Sequence, residues 1–200
     1  MKRRMVHFFA VLMAALTFAF AGTALADGAT DVVKAKQTTL FDLIRAGTPD
    51  SQKKIDTVFD DMLDYPTLAQ SSLGPEWAKR SASEQAEFTD LLKKLVRNAY
   101  QKNLKKILDY NINYTGEEAA GSGTLVKTSS QDKSGSRSDP LEIDFKMVNT
   151  GGTWRVQDIV TEDVSLVDSY RSQFTKIINK DGFSKLIEKM KDKLAKESAG

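Results

Sequence analysis

From Leu141 to Met147 the side chains alternate without a break. Leu141, Ile143, Phe145 and Met147 are apolar, while Glu142, Asp144 and Lys146 are charged. A period of two describes a strand with one buried and one wet face. Burying the four apolar side chains is worth about 1.5–3 kcal/mol each. A slip of one residue would expose all four, so the register is firmly set. The chain must therefore build a half-buried sheet and find something apolar to cover it.

The same period recurs on both sides. Tyr110, Ile112 and Tyr114 alternate with Asn111 and Asn113. A strand is expected over 124–128, and the turn 149–152 leads into another over 154–160. Together these predict a four-stranded antiparallel meander. The polar segment 129–140 contains Gly135 and predicts an exposed hairpin loop.

Helices precede and follow the sheet. One is expected over 31–46, with Val33, Leu40 and Leu43 on its apolar face, and one over 51–65, with Ile55, Phe59 and Met62. Pro66 opens a short helical piece, and Pro75 suits the first turn of another. Ser81 and Glu84 form a capping box that opens the longest helix, to about Leu108. Its apolar face carries Phe88, Leu91, Leu92, Leu95 and Ala99. Past Asn98 the apolar set moves to Tyr100, Leu104, Ile107 and Leu108, about 100° around the helix. The helix must bend or change packing partners there. Ser165 and Asp168 read as a second capping box, opening a helix that Asp181-Gly182 interrupts. Phe183, Leu186, Ile187, Met190 and Leu194 form the last apolar stripe. Helices, then strands, then helices define an α+β fold: an antiparallel sheet of about four strands packed with N-terminal and C-terminal helices.

The N-terminus reads as a secretory signal. Lys2, Arg3 and Arg4 are followed by an apolar run from Phe8 to Gly22 and by Ala24-Leu25-Ala26, an A-x-A cleavage site. Residues 1–26 are therefore expected to be removed, leaving 27–200 as a single domain. The whole chain carries 29 Lys plus Arg against 27 Asp plus Glu; the signal holds three of the basic residues, so the mature charge is −1. Nothing in this balance favours nucleic acid.

The single histidine, His7, lies in the signal, and there is no cysteine. Ser-His-Asp and Cys-His catalysis, thiol redox chemistry and His- or Cys-ligated zinc are thereby excluded from the mature chain. Carboxylate chemistry remains, but Asp60-Asp61 with Asp64, Glu117-Glu118 and Glu162-Asp163 are neighbours in sequence. A glycosidase needs two carboxylates facing each other across a cleft. A solvated edge is the simpler account of Asp60 and Asp64, and a solvated helix face that of Lys93, Lys94, Arg97, Lys102, Lys105 and Lys106. No catalytic residue, metal site or cofactor is expected.

The apolar faces pack into a solid core or line a hollow one, and pattern does not separate the two. A solid core is the commoner outcome, and a secreted interaction domain without ligand would need nothing more.

A resemblance bears on that choice. Trp154-Arg155-Val156-Gln157-Asp158-Ile159-Val160, then Val164-Ser165-Leu166-Val167-Asp168-Ser169-Tyr170-Arg171-Ser172-Gln173-Phe174, resembles the MlaC family. Lys180-Asp181-Gly182-Phe183 continues the likeness, as do Leu73-Gly74 with Trp77 and Glu84-Gln85 with Phe88 upstream. These are periplasmic phospholipid-binding proteins, also described as toluene-tolerance auxiliary components. Where the family commonly has Glu-Gly before Val-Ser-Leu, this chain has Glu162-Asp163, and Asp tolerates a left-handed turn. Pro75 is a second departure.

The resemblance implies a monomeric periplasmic shuttle. It would carry phospholipid between an outer-membrane lipoprotein complex and an inner-membrane ABC transporter complex, maintaining outer-membrane lipid asymmetry. A phospholipid with ~30 chain methylenes at ~0.8 kcal/mol each loses more than ~20 kcal/mol if it enters water bare. A carrier must therefore enclose an apolar cavity between sheet and helices. On that reading, the expected lipid-binding walls are Leu92, Leu95, Val96 and Tyr100 with Ile143, Phe145, Met147 and Phe174.

Overall fold

The strict alternation beginning at Leu141 forms the central strand of the sheet. A computed structural model describes residues 28–135 and 139–198, apart from the side chains of 101–105 and 198. The expected signal, 1–26, lies outside the described residues, as do the side chains of Leu104, Lys102 and Lys105. The chain runs α1 (Ala29–Ala46), α2 (Pro49–Met62), α3 (Tyr65–Leu73), a 3₁₀ turn (Gly74–Lys79) and α4 (Ala82–Ile107). Then come β1 (Tyr110–Ala120), β2 (Gly123–Asp132), β3 (Leu141–Thr150), β4 (Thr153–Thr161) and β5 (Val164–Ser165). Helices α5 (Leu166–Asp181) and α6 (Phe183–Ser198) close it.

The sheet order is β1-β2-β3-β4-β5, each pair antiparallel. The expected meander is therefore present, with a fifth strand of two residues. The expected loop over 129–140 is shorter than polarity suggests, because β2 continues through Ser129 and Ser130 to Asp132. Ser130 is only 1% exposed. β1 likewise runs on past Tyr114, through a bulge before Gly116.

Glycine is required at Gly123, where β2 begins. A Cβ there would lie 2.2 Å from the Met147 carbonyl oxygen and 2.8 Å from Val148 Cγ2. The nearest obstacle is backbone of the neighbouring strand, so it cannot swing aside. Gly123→Ala is expected to lower stability by about 1–3 kcal/mol through forced separation of β2 and β3. Urea unfolding checks it; a midpoint equal to the parent's would mean the sheet edge yields freely.

Side chains tie the helices to the sheet. α1 has Gly28 at its N-cap and no side-chain cap of its own; Glu117 of β1 instead accepts from the Thr30 N–H (2.8 Å) and hydroxyl (2.7 Å). Asp64 caps α3 through the Thr67 N–H at 3.1 Å and accepts from Gln157 of β4 at 3.1 Å. Asp60 is no free edge: it pairs with Arg97 and with Lys93 (2.9 Å) of α4. Burial alone would raise the Asp60 carboxyl, but hydrogen bonds from Arg97 and Lys93 outweigh it and hold it below the usual carboxylate range. Arg97 and Lys93 are thus inter-helix ties rather than part of a solvated face.

The second capping box is only half formed. Ser165 accepts from the Asp168 N–H at 3.0 Å, but the Asp168 carboxylate turns to Arg171 at 2.9 Å. Asp158 of β4 supplies the other half, accepting from the Ser165 hydroxyl at 2.6 Å and the Val167 N–H at 3.1 Å. The tight turn before β5 uses left-handed backbone at both Glu162 (φ 49°) and Asp163 (φ 63°), so the substituted turn survives. Pro75 is absorbed by the 3₁₀ turn. Gly74, at φ 55°, lets Arg171 of α5 lie 3.4 Å from where a Cβ would stand, and Arg171 donates to the Ser71 carbonyl at 2.8 Å.

α4 is one helix from Ala82 to Ile107, so the rotation of its apolar face at Asn98 marks a change of partners. Its first half joins a solid core. There Phe88, fully buried, meets Phe174 edge-on at 5.4 Å and Phe183 at 6.4 Å, with Leu73, Leu92 and Leu186 around it. Beyond Asn98, Ala99, Tyr100, Lys106 and Ile107 face something else.

Candidate functional site

The inner face of the sheet and the helices opposite do not meet everywhere. Between them lies a cavity of about 520 Å³, within the ~300–1,000 Å³ common for small-molecule sites. The sheet supplies Ile112 of β1, Thr128 and Ser130 of β2, Ile143 and Phe145 of β3, and Ile159 and Thr161 of β4. α1 adds Gln37, Leu40 and Phe41, and the end of α2 adds Phe59 and Met62. Tyr100 and Ile107 come from α4, and Leu166 and Ser169 from α5. Phe59 and Tyr100 hold each other at 5.5 Å on this wall. Thr128 and Ser130 put short polar side chains at inward strand positions, and Ser130 is smaller than the Val or Ile that would fill the space there.

Residues that belong to both wall and surface mark the mouth. Among the described residues they are Val164, 60% exposed, with Ala99, Lys106 and Thr161. Lys106 is the one charged residue on the wall among the described residues. Burial raises the Tyr100 phenol and pushes the Tyr114 phenol up to about 12. Both stay protonated at neutral pH, and Tyr114 donates to the Gln37 side-chain oxygen. Among the described residues no carboxylate lines the cavity, and no group of three or more His, Cys, Asp or Glu side chains is placed to hold a metal ion.

Tyr100, Ile143 and Phe145 stand on the cavity wall. Leu92, Leu95, Val96, Met147 and Phe174 do not. They are buried at 1%, 4%, 2%, 0% and 6% exposure in the solid core. On α4 the two sets part at Asn98: Leu92, Leu95 and Val96 pack before it, while Ala99, Tyr100, Lys106 and Ile107 line the cavity after it. Sequence reasoning missed Gln37, Phe41 and Ser130 and left Leu166 off the walls. Leu166 carried a signal as the first apolar residue after the Ser165 cap, and Phe41 as an aromatic beside the α1 stripe.

The fold and its interior define a hollow α+β domain with an apolar pocket open at one end. A family model described as MlaC protein matches residues 26–192, and the chain belongs to that family. The intermembrane phospholipid transport system binding protein MlaC of Haemophilus influenzae is 25% identical over 138 residues, 66% of this chain. The matched region spans 64% of that relative's length. Among solved structures, the phospholipid-binding protein of Ralstonia solanacearum in complex with a phospholipid has a similar fold, with a TM-score of 0.72. The likeness covers 86% of this chain and 99% of that one at 21% identity.

Proposed function

We propose that this chain is a periplasmic phospholipid carrier that acts without chemistry of its own. It would move lipid between an inner-membrane ABC transporter complex and an outer-membrane lipoprotein complex. The observation that carries this reading is the cavity of about 520 Å³ with an almost wholly apolar wall and Lys106 at its mouth. An apolar cavity of this kind stays dry and favours apolar occupants. Acyl chains lie against Tyr100, Ile143, Phe145, Phe59 and Ile159, and the headgroup stays at the mouth near Lys106. The family membership and the phospholipid named in the two relatives support the same reading. A secreted interaction domain with a solid core does not account for the cavity. A carboxylate hydrolase does not account for a wall without carboxylates.

Gentle purification followed by lipid extraction and mass spectrometry tests it. Phospholipid is expected near one molecule per chain. Stripping it should lower the melting temperature, because a ligand at 100 times its Kd adds about 2.7 kcal/mol, on the order of 5–10 °C for a domain this size. A chain that carries no phospholipid, and gains no stability from vesicles, would not be a carrier.

A further inference from the structure

Several polar groups of the cavity wall have a hydrogen-bond partner or reach solvent. Thr128 donates its hydroxyl to the Ile143 carbonyl, and the Gln37 oxygen accepts from Tyr114. Thr161, Ser169 and Lys106 keep contact with solvent. Ser130 differs. It is 1% exposed, its Oγ has no hydrogen-bond partner, and it lines the cavity. Its cross-strand neighbours are Ile112 and Leu141, both apolar and both on the same wall. A buried hydroxyl in such surroundings loses its water without compensation. A lone water is a poor substitute, since it needs about three polar partners of its own.

The position of Ser130 fits one part of a lipid. Thr128 and Ser130 line the cavity along β2; the next inward residue, Val126, is fully buried off the wall beside Phe145, and Leu141 stands beside Ser130 at the other end. Three residues beyond Ser130, Lys133 joins the end of α4, its N–H donating to Asp109 (2.9 Å) and its ammonium to Leu108 (2.6 Å). Lys106, at the mouth, belongs to that same end. Ser130 thus lies between the rim and the apolar depth. In a diacyl phospholipid the groups at that level, between headgroup and chains, are ester carbonyls, which accept and never donate.

We propose, resting on the carrier reading above, that Ser130 Oγ is the hydrogen-bond donor for an ester carbonyl of the bound lipid. It acts as a positioning and selectivity residue that sets how far the lipid descends. The cavity then distinguishes ester-linked from ether-linked lipids, whose linkage lacks the carbonyl oxygen.

The test loads the parent chain and Ser130→Ala from vesicles of dipalmitoyl phosphatidylglycerol or of its dihexadecyl ether analogue. The parent should prefer the ester by roughly 3–10-fold, the value of one neutral hydrogen bond. Ser130→Ala should hold both lipids equally, at the parent's ether level. The lipid-free variant should melt no lower than the lipid-free parent, because the deleted hydroxyl had no partner to lose. Equal affinities in the parent, or an ester preference that survives Ser130→Ala, overturn the assignment while leaving the carrier reading intact. A lower melting point for lipid-free Ser130→Ala would show a structural role and overturn it too. Loading of neither lipid by the parent defeats the carrier reading itself, and this one with it.

Discussion

Ile143→Trp is expected to leave the fold standing and to cut phospholipid loading at least about tenfold. Ile143 sits on β3 opposite Thr161, on the cavity wall, and keeps part of its surface open to that space. Tryptophan is well tolerated in strands, and its indole would project into a void rather than into packed atoms. What it fills is the volume the acyl chains need. Val96→Trp should do the reverse. Val96 is 2% exposed and lies off the cavity, so the indole meets close-packed neighbours and costs about 1–3 kcal/mol or more. Its folded fraction should still carry lipid. Thermal melts and lipid-to-protein ratios on both variants separate the cases. Loading unchanged in Ile143→Trp but lost in Val96→Trp would move the lipid to the other face of α4.

That pair also shows what the letters could and could not say. The Leu141–Met147 alternation set the register of β3, and Ser81 with Glu84 marked the start of α4, where Ser81 N donates to Glu84 Oε2 at 2.7 Å. Both are local signals, complete within a few residues. The rotation of the apolar set at Asn98 was equally legible, as a demand for new packing partners. What α4 meets beyond that point was not. A side chain facing a void and one facing another side chain satisfy the same hydrophobic pattern, so Leu95 and Tyr100 read alike. The distinction depends on residues far away in sequence: Thr128 and Ser130 of β2 share the cavity wall with Tyr100. Ser129 and Ser130, past the expected strand end at Thr128, read as the start of a loop, because they lack the apolar alternation that marks a strand. Ser130 was therefore assigned to solvent, and it is among the most deeply buried polar residues of the chain.

The largest loss of stability is expected from Phe88→Ala, far from the cavity. Phe88 is fully buried where α4, α5 and α6 converge, edge-on to Phe174 and 6.4 Å from Phe183. Phe174 in turn stacks on Tyr170 at 5.2 Å, so removing the Phe88 ring withdraws support from the middle of α5 and the first turn of α6. Truncating a buried Phe to Ala costs about 3–5 kcal/mol, part transfer and part residual cavity. For a domain of this size that is roughly 10–15 °C in melting temperature. The new void should not become a second lipid site, because the cavity wall lies on the other half of α4 and α5 reaches it only at Leu166 and Ser169. Well below the melting point, Phe88→Ala should therefore bind phospholipid with the parent's stoichiometry. Calorimetry paired with lipid quantification checks this. A fall in lipid content at a temperature where the variant is fully folded would mean that the solid and hollow halves of the domain are coupled through α4.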